Sequence, residues 1–157
     1  MSEIKDKEGL GGWLILVGIG LVFGSIGLLA HLNVYKEIFS DGTWEALTLQ
    51  SSDAYTPLFG ILMSLELIGN CVFLIAYICL TFFFFKKKRN FPKFYIITIL
   101  ANLAFVLVDI LFTKVVFPAE PMFDQETSRD VIGQIVSCAI WIPYMLKSVR
   151  VRNTFVR

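Results

Sequence analysis

Apolar residues run through this chain in four long blocks, and inside the blocks they do not alternate with polar ones. Gly9 to Ala30 holds no charged side chain, Tyr55 to Phe85 holds only Glu66, Phe94 to Phe117 holds Asp109 and Lys114, and Val131 to Leu146 holds none. A helix on a globular surface keeps one polar face, which these blocks lack. About 20 apolar residues cross the hydrocarbon of a bilayer. The pattern therefore predicts an all-α, polytopic integral membrane protein with four transmembrane helices in a compact bundle. One domain spans 1–157, with helices at about 10–32, 56–85, 94–117 and 129–147, an external loop at 31–56 and a basic cytoplasmic loop at 86–93. The fourth block is the shortest and is expected to gain length at its ends, with Ser128, Arg129 and Lys147 at headgroup depth.

Composition agrees, at 56% hydrophobic and 17% charged with a mean hydropathy of +0.70, and 157 residues leave little room for a second domain. The net charge of +1 hides a segregation that sets orientation. Lys5, Lys7, Lys86, Lys87, Lys88, Arg89, Lys93, Lys147, Arg150, Arg152 and Arg157 gather at both termini and the middle loop. The opposite side carries Glu37, Asp41, Glu45, Asp53, Glu120, Asp124, Glu126 and Asp130, with only Lys36, Lys114 and Arg129 among them. By the positive-inside rule both termini and the middle loop are cytoplasmic. A cleaved signal peptide is disfavoured, because the first block exceeds an ordinary h-region and its leading segment mixes in Glu3, Asp6 and Glu8. The cluster of Lys86, Lys87, Lys88, Arg89 and Lys93 is expected to contact anionic lipid, at about 1 kcal/mol per basic residue. No further basic fold supports nucleic-acid binding.

Gly20, Gly24 and Gly27 form a stripe of small residues on the first helix, and Gly133 and Ser137 repeat the spacing on the fourth. Such stripes let helices approach closely, so helices one and four are expected to pack on each other. Cys71, Cys79 and Cys138 fall inside predicted helices, where core packing is the expectation rather than a disulfide framework or redox pair. In the external loop, Ser40-Asp41-Gly42 breaks the chain and Thr43 is placed to cap a short helix through Trp44, Glu45, Ala46 and Leu47. With Tyr35 and Phe39, that helix would close the bundle as a hydrophobic lid or rest on the membrane interface.

Polar groups at membrane depth are the candidate site. Glu66 and Asn70 are four apart, Asn102 and Asp109 seven apart, so each pair shares a helix face. At about 1.5 Å per residue, Glu66 lies near 13 Å and Asp109 near 12 Å below the outer ends of a helical hairpin. The two carboxyls are expected to meet at one level, with Asn70 and Asn102 beneath and Lys114 reaching either acid on its flexible stem. A hydrogen-bonded clamp, worth about 0.6 to 2 kcal/mol per contact, is ranked ahead of a path for protons, ions or substrate.

Catalytic patterns are missing. The single histidine, His31, cannot supply paired haem ligands, and neither H-E-x-x-H nor G-x-S-x-G occurs. No cofactor, no metal and no enzymatic activity is therefore expected. Small multidrug-resistance transporters are similar in size, yet their essential acid belongs to the first helix, which here has none.

Three pieces of sequence point further: Gly11-Gly12-Trp13-Leu14, the pair Glu66 and Asn70, and Ile140-Trp141-Ile142-Pro143-Tyr144 through Arg152-Asn153-Thr154-Phe155-Val156-Arg157. Together they resemble the bacterial inner-membrane family catalogued as domain of unknown function 2569. The resemblance implies a small four-helix inner-membrane protein without an established activity. The expected role is a structural or accessory component of an envelope complex, in contact with the bilayer and with another membrane protein or a second copy of the chain. The alternative is a small transporter or channel that couples protons or cations through the carboxylates.

Overall fold

The computed structural model of the protein describes residues 9–156, so Lys5, Lys7 and Arg157 of the charge pattern lie outside the described residues. Those residues form six helices and no strand: α1 Trp13–Ser40, α2 Thr43–Thr48, α3 Phe59–Phe85, α4 Phe91–Val116, α5 Gln125–Lys147 and α6 Val149–Thr154. The long helices pack in chain order, α1 along α3, α3 along α4 and α4 along α5, while α2 bridges α1 and α3. Three of them, α1, α3 and α4, are long and apolar enough to cross a membrane. In α5 the first two turns are polar, with Glu126, Arg129 and Asp130, and the apolar run begins only at Val131.

The first helix does not end near residue 32 but continues to Ser40. Leu28, Leu32, Tyr35 and Ile38 maintain the helical spacing on the packed side, while His31, Asn33, Lys36 and Glu37 occupy the exposed side. Its 28 residues span about 42 Å, well beyond the roughly 30 Å of hydrocarbon. The loop after it is correspondingly short and carries α2. Thr43 is the first residue of that helix rather than its cap, for its backbone N–H donates to Asp41 Oδ1 at 2.9 Å and Gly42, at φ +85°, makes the turn. Burial is minor there, and the bond from Thr43 holds the Asp41 carboxyl below the usual carboxylate range.

The basic loop is a tight helix end. Lys88 N–H donates to Phe83 O at 2.9 Å and Lys87 N–H to Phe84 O at 3.0 Å, which satisfies two terminal carbonyls of α3 in the manner of a Schellman turn. That turn puts Lys87 in the left-handed region at φ +52°, where glycine is the usual occupant. Pro92 then sits in the first turn of α4, where a missing N–H costs nothing.

Two cores stabilise the row of helices. Near the basic loop, Leu14, Leu21, Phe84, Phe91, Met145 and Phe155 are buried together. At the opposite, acidic end, Phe59, Leu62 and Val116 form a second core, and Ile38, Trp44 and Leu47 pack against it, so α2 covers it as a lid. Between them the Phe105 ring of α4 occupies the space that a side chain at Gly69 would need.

The glycine expectation needs correction. A Cβ at Gly24 would lie 2.7 Å from the Tyr77 ring and one at Gly18 2.9 Å from the Phe84 ring, but nothing lies within 4 Å of Gly20, Gly27 or Gly133. The close approach is therefore α1 on α3 through Gly18 and Gly24. Helices α1 and α5 meet chiefly where Trp13 and Trp141 stand edge to face at 6.3 Å, and Gly133 is exposed and Ser137 half-buried on α5. Only Cys138 is buried, its Sγ 3.9 Å from Ile99 O; Cys71 and Cys79 face outward. Of the expected stripe, Gly24 meets a neighbour, whereas Gly20 and Gly27 stand where α1 has none within 4 Å.

Candidate intramembrane polar site

Three helices contribute to one polar chain near the acidic end. Tyr35 on α1 is 4% exposed, and its hydroxyl donates to Glu66 Oε2 of α3 at 3.4 Å. One turn further along α3, Asn70 Nδ2 donates to the same hydroxyl at 2.8 Å. Asp109 on α4 lies near enough to Glu66 for the two charges to influence each other. Glu66, Asn70 and Asp109 are each half-buried, so these side chains occupy partly open positions rather than a sealed interior. The His31 ring stands edge-on to Tyr35 at 5.8 Å.

The rest of the expected cluster divides. Asn102 is half-buried and its side chain joins none of the side-chain hydrogen bonds among the described residues, while Asn70 pairs with Tyr35. Lys114 does not turn back to the acids: its Nζ donates to Pro118 O at 2.7 Å and Glu120 O at 2.6 Å, tying down the chain that leaves α4. Lysine at a helix C-terminus satisfies carbonyls that lack helical partners. Tyr35 was missed because the first helix was expected to stop before it; the continuing 28, 32, 35, 38 spacing was the available signal. Gln134 on α5 was missed too, and its Oε1 is buried with no hydrogen-bond partner.

Asp109 also lines a cavity of about 360 Å³ between α4, the following loop and the start of α5. Thr113, Lys114, Glu120, Asp124 and Thr127 bring polar groups to its wall, beside Ile110, Phe117, Pro121 and Met122. At its rim the Thr127 backbone N–H donates to Asp124 Oδ1 at 2.7 Å, capping α5. That bond holds the Asp124 carboxyl below its usual range. Among the described residues no three His, Cys, Asp or Glu side chains are arranged to hold a metal ion.

All-helical architecture with three apolar membrane-length helices defines a multi-pass membrane protein. The family described as protein of unknown function DUF2569 matches residues 7–156, and the chain belongs to that family. It is 26% identical over 153 residues to the inner membrane protein YdgK of Escherichia coli (strain K12), an alignment covering 94% of this chain and 93% of that protein. No solved structure matches. The terminal motifs that carried the resemblance converge in space: Arg150 lies against Gly11 and Gly12, Trp141 against Trp13, and Thr154 Oγ1 donates to Gly9 O at 3.2 Å.

Proposed function

We propose that the protein is a noncatalytic structural or accessory component of the inner membrane, and that Tyr35, Glu66, Asn70 and Asp109 act as a clamp between its helices. The observation that carries this reading is that the polar side chains are engaged with one another near one end, above a buried apolar and aromatic core near the other. A continuous path would need polar groups through that core as well. In this reading α5 is a fourth crossing, its apolar run of Val131 to Leu146 lengthened by snorkelling of Arg129 and Lys147. Both termini and the basic loop then face the cytoplasm, as the positive-inside rule expects. The helix faces left without a neighbour, including Gly20 and Gly27, offer room for another membrane protein or a second copy.

A small transporter or channel is the second reading, favoured by one observation: the cavity reaches Asp109 from the acidic end. Intact protein in liposomes under an imposed pH or cation gradient separates the two. The clamp predicts wild-type vesicles no leakier than empty ones, and Glu66→Gln and Asp109→Asn variants that keep most of their thermal stability, because amides retain hydrogen-bonding capacity. Gradient-driven flux in the wild type that either amide abolishes would overturn the clamp and establish the path.

A further inference from the structure

The cavity beside Asp109 joins an acid without a counter-charge to an apolar wall. Of the α4 residues that line it, Asp109 stands farthest from the helix end, eight residues before Phe117 and thus about 12 Å further along the axis. Among the described residues no cation lies within ion-pair distance of its carboxyl or of Glu66. Lys114 lines the same cavity, but its ammonium is committed to Pro118 O and Glu120 O. Two half-buried acids, close enough to influence each other, are therefore left unpaired at membrane depth, where an ionisable side chain is costly and marks a functional site by default. One turn outward, the Thr113 hydroxyl makes no hydrogen bond among the described residues, whereas those of Ser64 and Thr81 return to the carbonyl four residues back. Ile110, Phe117 and Met122 supply the apolar wall.

We propose that this cavity binds a small aliphatic ammonium ion, its head on the Asp109 carboxylate and the Thr113 hydroxyl and its hydrocarbon along Ile110, Phe117 and Met122. An ammonium offers three donors and no acceptor, which suits a carboxylate and a hydroxyl oxygen. A bare divalent ion suits the wall less, since it takes about six or more oxygen ligands and no three His, Cys, Asp or Glu side chains are arranged to hold one among the described residues. The volume of about 360 Å³ lies at the small end of the range for ligand sites, about 300 to 1,000 Å³, so the occupant is a small one. The site goes beyond the clamp, which needs no ligand, and requires no passage across the membrane. Binding at equilibrium without flux upholds the site and leaves the clamp standing.

The test titrates intact protein in detergent micelles with n-butylammonium chloride and reads binding by saturation-transfer difference NMR against empty micelles, with thermal stability measured for every variant. The ammonium should bind, and 1-butanol, which keeps the hydrocarbon without the charge, should not. Asp109→Asn should weaken binding at least about tenfold, as expected for losing a charge-assisted hydrogen bond. Thr113→Phe, which fills the cavity from α4, should expel the ion and gives an independent check if the amide variant harms folding. Glu126→Gln removes an acid of the same end that lies outside the cavity, and should leave binding unchanged. Equal losses for Asp109→Asn and Glu126→Gln would overturn the site in favour of diffuse attraction to the acidic end. Binding unchanged in both cavity variants, or 1-butanol held as tightly as the ammonium, would overturn it as well, and displacement by an equal concentration of potassium chloride would reassign the carboxylate to an inorganic cation.

Discussion

Glycines four residues apart on the same helix should respond oppositely to the same methyl group. At Gly24 an added Cβ would lie 2.7 Å from Tyr77 Cε1 and 3.1 Å from Cδ1, whereas at Gly20 it would meet nothing within 4 Å. Glycine to alanine in a helix interior is itself favourable by about 0.5 to 1 kcal/mol, and that gain is common to both sites. Forcing a methyl into packed surroundings costs about 1 to 3 kcal/mol. Subtracting one variant from the other cancels the shared propensity, so Gly24→Ala should be about 1 to 3 kcal/mol less stable than Gly20→Ala. Reversible unfolding in mixed micelles supplies the difference, with circular dichroism as the readout. The Tyr77→Ala background provides the internal control, for without the ring the two alanine variants should converge, a coupling visible as non-additivity. A Gly20→Ala protein destabilised as much as Gly24→Ala would refute the reasoning, since it would place a close neighbour where the structure leaves open space.

Other residues give independent checks. Removing the hub hydroxyl by Tyr35→Phe should cost about 0.6 to 2 kcal/mol in the same unfolding assay, the range for interhelical polar contacts, and Asn70→Leu should cost a similar amount without adding to it fully. Gln134→Leu should be neutral or stabilising, because it eliminates a buried acceptor whose unmet desolvation costs about 1 to 3 kcal/mol. Asp124 has a depressed carboxyl, so its support of α5 is complete above the ordinary value of 3.8 and is lost as pH falls through the lowered one. Asp124→Asn should therefore flatten that acid limb in a pH series of thermal melts. Single cysteines at Asp53 and Lys87, in a background with Cys71, Cys79 and Cys138 replaced by alanine, should react with an impermeant maleimide from opposite sides of the membrane; labelling from the same side would break the proposed topology.

Much of the helical layout was legible because membrane-length apolar runs carry their own punctuation. The expected helix at 56–85 and the observed α3 share the same last residue, where Phe85 meets the lysines. The start of α4 moved to Phe91 because Pro92 is well tolerated in a first turn, which the apolar pattern alone does not encode. The end of α1 was hidden from hydropathy for a different reason: Lys36 and Glu37 resemble a loop to a hydropathy window, yet they stand on the exposed side of a helix that outruns the hydrocarbon, and only the 28, 32, 35, 38 spacing marks it. In the polar site, counting residues gives an expected depth along each helix but says nothing of rotation about the helix axis. Rotation decides that Asn70 reaches Tyr35, that Lys114 turns toward its own helix end, and that Gly18 rather than Gly20 meets a neighbour. Small-residue spacing defines a stripe but not which of its members faces a partner, because bulky rings such as Phe84, Tyr77 and Phe105 on the opposing helix make that choice.

The contacts between residues 9–13 and 141–154 bear on the order in which the fold closes. Thr154 donates to the carbonyl of Gly9 across 145 positions of sequence, and the same corner holds Arg150 against Gly11 and Trp141 against Trp13. Contacts of such separation close late, after shorter loops have formed. Helix α1 can thus pack along α3 through a shorter loop before its basic end is fastened, and the corner where residues 9–13 meet residues 141–154 closes last.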